Sequence, residues 1–130
     1  MEKEIITTEA LGKPLGIYSH AVRVEGNELL FISGITARDK NGNIVGKGDM
    51  KLQTQQVLEN MKIVLAQAGA TFDHVVKVTV FVTDLSRFKD IHEVRARYFK
   101  KEYPASTLVQ VSRLVDEDML IEIEAIAVLD

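Results

Sequence analysis

The sequence predicts an α+β domain: a mixed sheet of six strands with two helices on one face. Three observations lead there. Two segments carry apolar residues at helical spacing, and six read as strands, in the order β-β-β-α-β-α-β-β. Strand–helix–strand units favour parallel neighbours joined by right-handed crossovers. Several strands, 75–82 and the ends of 119–129 among them, are apolar on both faces, yet two helices can cover only one face of such a sheet. In 130 residues nothing remains to cover the other, so its expected cover is another copy of the chain, an obligate homo-oligomer built on sheet faces.

Residues 3–7 read as a short strand, and 8–19, with Gly12, Pro14 and Gly16, as a loop. Residues 20–24 and 28–33 are apolar-rich strands, and Glu25-Gly26-Asn27 between them suits a short hairpin with a glycine available for positive φ. Asp39 to Asn43 form a second turn. Residues 50–68 form an amphipathic helix, with Asp49 placed to cap its start and Gly69 its end. Its stripe is Thr54, Val57, Met61, Val64 and Ala68, widened by Leu58 and Leu65. In the strand 75–83, Val76, Val78, Val80 and Val82 share one face. A second helix spans about 87–101, with Ser86 as cap and Phe88, Ile91, Val94, Tyr98 and Phe99 as its stripe. Strands at 107–114 and 119–129 end the domain; in the last, Met119, Ile121, Ile123, Ala125, Ala127 and Leu129 face one way.

The composition fits one globular domain: 46% hydrophobic and 27% charged residues. No apolar run approaches the roughly 18 residues that a membrane span needs. The charged start Met1-Glu-Lys-Glu-Ile is no secretory signal, so the expected setting is cytoplasmic. Without cysteine there is no disulfide, thiol nucleophile or cysteine zinc site. A net charge of −3 disfavours nucleic acid as a partner.

Motifs exclude more than they identify. Gly42, Gly46 and Gly48 lack the GK[ST] ending of a phosphate loop, and His20, His74 and His92 fall at no metal-ligand spacing. Ser33, in Ile-Ser-Gly, is not a hydrolase elbow. Polar residues in otherwise apolar surroundings remain. Glu122 and Glu124 alternate with Ile121, Ile123 and Ala125; their ordinary reading is a solvated strand face, and their sharper one a carboxylate holding water in a cleft at a subunit boundary. Tyr18 reads as an edge-packing aromatic, and the Ser106 and Thr107 hydroxyls as partners for nearby backbone.

The segment Tyr103-Pro-Ala-Ser-Thr-Leu-Val-Gln-Val-Ser-Arg-Leu114, followed by Ile121-Glu-Ile-Glu-Ala-Ile-Ala127, resembles the signature of the RidA (YjgF) family. So do Gly16 to Val22, Phe31 to Gly34 and Val76 to Leu85, in the same order along essentially the whole chain. The resemblance implies a chorismate-mutase-like fold and a homotrimer, its sheets forming a central barrel with helices outside and three clefts between subunits. It also implies hydrolysis of imines and enamines to 2-keto acids and ammonia, with no metal or cofactor. Glu122 would position or activate the water, Tyr18 would be the cleft tyrosine, and Ser33 with Gly34 would line the pocket.

Where active family members carry an arginine that grips the substrate carboxylate, this chain has Ser106, with Thr107 beside it. A hydroxyl offers one neutral donor in place of a bidentate cationic fork. The expected cleft therefore prefers a neutral, bulkier or differently anchored carbonyl, imine or enamine compound. Arg38 and Arg113 are the candidates for reaching in from elsewhere, although both read first as surface charges. The alternative is a non-enzymatic ligand-binding or regulatory trimer.

Overall fold

The structure, a computed structural model, describes residues 1–130. Its strands and α-helices are β1 (Glu2–Ile6), β2 (Ala21–Glu25), β3 (Glu28–Ile35), α1 (Met50–Gln67), β4 (Val75–Val82), α2 (Phe88–Tyr98), β5 (Ala105–Gln110) and β6 (Ile121–Leu129). This is the α+β arrangement expected, with two helices packed against each other beside a mixed sheet. Four strands run in the order β3-β6-β4-β5, parallel only between β4 and β5, the two strands that α2 connects. β1 and β2 form a separate antiparallel pair, joined to the rest through a single bridge between Ser19 and Ala105. The six strands are thus present, but the ladder is nearly cut between β2 and β5.

Strand register decides what each face carries. Paired residues point to the same side of a sheet. Val78 pairs with Ser106 and Ala125, and Val80 with Leu108 and Ile123, on the side packed against the helices. Thr79 pairs with Thr107 and Glu124, and Phe81 with Glu122, on the opposite, open side. The open side also exposes Phe31 (69%) and Leu29 (63%).

Helix α1 begins as its sequence suggests: the Asp49 carboxylate accepts from Leu52 N at 3.0 Å, and Gly69 follows its end at φ 73°. Its buried side includes Gln53, an amide on the apolar stripe. Gln53 Nε2 donates to Gly46 O and Asp118 O, while Oε1 accepts from Leu120 N. The side chain therefore ties two loops to the helix.

Several local expectations change. Glu25-Gly26-Asn27 is not a hairpin, because β2 pairs with β1 and β3 with β6. Gly26 is required by space, not by positive φ: a Cβ there would lie 2.5 Å from Val128 Cγ1. In β4 a register shift between Val75 and Lys77 brings Val75 into the core beside Val78 and leaves Val76 half-buried. Ser86 does not cap α2. Asp84 caps a short 3-10 turn (Leu85–Arg87) by accepting from Ser86, and α2 starts at Phe88 without a side-chain cap. The strand expected at 107–114 is β5, two residues earlier at its start and ending at Gln110, and Arg113 then donates within its own loop to Leu114 O and Val115 O.

Candidate functional site

A cleft of about 340 Å³ opens between α2, the loop before β2, and β5. Phe88, Ile91, His92 and Arg95 come from α2, Leu15 to Tyr18 from the loop, and Ser106 and Leu108 from β5. Gly16 is what lets the loop lie so close. A Cβ there would sit 3.2 Å from His92 Nδ1 and 3.4 Å from the Phe88 ring, which itself packs on His92 with centroids 5.8 Å apart. Tyr18 Oη accepts from Leu15 N at 3.0 Å, closing the loop on itself. Ser19 anchors the loop to the strand entry, donating from Oγ to Tyr103 O at 2.6 Å and from its amide to Pro104 O.

Arg95 is the unexpected member. It is 5% exposed. Its Nη2 donates to Ile17 O at 3.2 Å and to Ser106 Oγ at 3.1 Å, and its buried Nε has no hydrogen-bond partner. None of the ion pairs of the chain involves it. Burial pulls its pKa down to about 10, so it remains a cation at neutral pH. A signal for it was present: Arg95 stands four residues after Ile91 and four before Phe99, on the apolar stripe of α2. Arg38 and Arg113 do not reach the cleft. Arg38 lies at the Gly42 turn, and Arg113 donates to Leu114 O and Val115 O in its own loop.

The residues singled out from sequence fall into two groups on opposite faces of the sheet. Tyr18 and Ser106 line the cleft. Glu122, Gly34 and Thr107 lie on the open side. Gly34 gives Glu122 its room, because a Cβ at Gly34 would collide with that carboxylate. Thr107 Oγ1 accepts from Lys77 Nζ at 2.8 Å, and Ser33 lies exposed next to Gly34 in the irregular stretch of β3. No three of the chain's histidines and carboxylates gather into a group that could hold a metal ion, and no helix is long and apolar enough to cross a membrane.

The two-helix α+β sheet thus carries an apolar cleft on which a few polar groups converge. The family model described as Endoribonuclease L-PSP matches residues 7–129. A RutC family protein of Pyrococcus abyssi is 47% identical over 127 residues, covering 98% of both chains. The 3-aminoacrylate deaminase RutC of Acinetobacter baylyi is 39% identical, again over 98% of each. Among solved structures, a Rid-family protein of unknown function from Yersinia pestis superposes with a TM-score of 0.92 at 35% identity, covering 99% of this chain and 100% of that one. The chain belongs to the endoribonuclease L-PSP family, the YjgF/RidA proteins.

Proposed function

We propose that the protein is a divergent Rid-type hydrolase of imines or enamines, working as a homotrimer in which the cleft of one copy meets the open sheet face of the next. The observation that carries this reading is the cleft itself: apolar walls with Tyr18, Ser106 and Arg95 converging in it. A 3-aminoacrylate deaminase aligned along almost its whole length also supports it. Glu122 faces away from the cleft of its own chain, so the reading requires the carboxylate of a neighbouring copy. There it would take a proton from water as the oxygen bonds to the carbon of a protonated C=N group. Return of that proton to nitrogen, with the carboxylate then taking the hydroxyl proton, lets the C–N bond break as C=O forms; the released ammonia picks up that proton, giving the carbonyl compound and ammonium.

The test is hydrolysis of freshly generated 2-aminoacrylate, followed by ammonia and keto-acid release. The expected result is turnover that falls about 100-fold or more in Glu122→Ala while the assembly is unchanged. Turnover unchanged in that variant would remove Glu122 from the chemistry. The separation of Glu122 from the cleft also favours a second reading, a ligand-binding or regulatory trimer without catalysis. Saturable binding of a keto acid with no turnover of any imine would select it. The net charge of −3 counts against RNA as the substrate.

A further inference from the structure

We infer that copies of this chain join strand to strand: β2 of one copy adds antiparallel to the outer edge of β3 in the next. This pairing rests on the trimer proposed above and names the edges that close it. Two bare edges carry it. β3 ends the four-stranded sheet, with β6 on one side and no strand on the other. β2 pairs with β1 alone and meets β5 only at the bridge from Ser19 to Ala105. From Ala21 to Glu25 its second edge therefore has no ladder partner. An unpaired row of backbone N–H and C=O groups is a template for another strand.

The two edges do not satisfy each other within one chain. A hairpin between them needs Gly26-Asn27 as a two-residue turn, and such turns place their first residue at positive φ. Gly26 is not among the glycines at positive φ. The link is pinned in an extended form instead. Val128 and Leu129 O fill the space beside Gly26, and Asn27 N donates to Leu129 O at 3.0 Å. Ser19, donating from its amide to Pro104 O, holds the start of β2 at the β5 end of the sheet, away from β3.

A second copy is the occupant that fits, because the bare edges lie at opposite ends of one sheet and match each other. Head-to-tail contact between two unlike patches closes into a ring where its rotation allows. Leu29 and Phe31 of the β3 edge are the exposed apolar side chains to be covered. The register that covers them sets Val24 opposite Leu29 and Val22 opposite Phe31, with both valines already half-buried. Glu25 then faces Glu28, a repulsive pair, but both are exposed and sit at the end of the ladder. The same register, continued, sets Gly34 of the next copy opposite Ser19, beside Tyr18. With Gly34 comes the Glu122 carboxylate packed against it. The strand contact that closes the ring is thus also what carries the carboxylate of one copy to the cleft of another.

The chain has no cysteine of its own, so disulfide trapping tests the pairing directly. Opposed Cα atoms of an antiparallel pair lie about 4.5–5.5 Å apart, within reach of a disulfide. The full-length double variant Val24→Cys/Leu29→Cys is oxidised in air and run on a gel without reductant. The expected result is a covalent species of about three times the 14.5 kDa of one chain, while each single variant stays at the mass of one. Val22→Cys/Phe31→Cys, in the same register, gives the same result and serves if the first variant does not fold. A disulfide within one chain, seen as a single chain lighter by its two thiol hydrogens, shows the hairpin closing on itself and overturns the inference. Failure of both folded variants to link, with sedimentation still at three chains, also overturns it and leaves the trimer to other surfaces. Sedimentation of wild type as one chain overturns the trimer reading, and this pairing with it.

Discussion

A guanidinium held away from water with no carboxylate beside it lowers stability, and Arg95 is such a group. Burial pulls its native pKa down to about 10, below that of a free arginine. The penalty is therefore present at neutral pH and relieved as pH rises above about 10, where the native state gives up its proton before the unfolded chain does. Arg95→Met is accordingly expected to be as stable as wild type at pH 7, or more stable by up to about 3 kcal/mol in urea unfolding. A loss of several kcal/mol would show that the assembled protein supplies Arg95 with an anion of its own. Gly34 offers a second residue-scale test. In Gly34→Ala the new methyl must displace the Glu122 carboxylate. Turnover of 2-aminoacrylate should fall at least tenfold, while overpacking lowers stability by no more than about 1–3 kcal/mol. Gly34 and Glu122 were singled out in the sequence by the family resemblance; the contact of Arg95 with Ser106 was not, because the two partners lie in different elements.

At the scale of elements, polar side chains join what apolar periodicity builds. Tyr98 Oη on α2 donates to Glu59 Oε2 on α1 at 2.6 Å, and the Tyr98 ring meets Phe72 edge-on at 5.4 Å. Burial first, then the Glu59 carboxylate, pushes the Tyr98 pKa up to about 12. A raised native pKa contributes stability that is whole below pH 10 and lost as pH rises through about 12. Tyr98→Phe should cost about 1 kcal/mol at pH 7 and should flatten the loss of stability between pH 10 and 12, measured by urea titration at each pH. Gln53 joins α1 to the loop before β6 with two hydrogen bonds and to the loop at Gly46 with a third. Gln53→Ala leaves buried backbone groups unpaired, so a cost of about 3 kcal/mol is expected, with faster amide exchange at Leu120. Helix positions and the Asp49 cap could be read from spacing and residue type. The cap at Asp84 and the shift in β4 could not, since both depend on where neighbouring strands dock.

At the scale of the whole molecule, the open face of the sheet is the property that bears most on function. Phe31, Leu29 and Val109 are exposed beside Phe81 and Ile126, which are half-buried. Sedimentation at micromolar concentration is expected to give about three times the 14.5 kDa of one chain. Phe31→Glu, a charge placed on that face, is expected to shift the protein towards monomer and to remove turnover with it. A stable wild-type monomer would leave Glu122 with no cleft to serve.

Element types, their order and the open sheet face follow from the sequence alone, because apolar period and turn chemistry act over a few neighbouring residues. The family resemblance also singled out Ser106 there. Only the tertiary structure set Arg95 beside Ser106, separated Glu122 from Tyr18 across the sheet, and turned an apparent hairpin into two strands with different partners. The reason is physical: which face a side chain occupies, and what meets it there, depends on strand register and on helix packing between segments far apart in the chain.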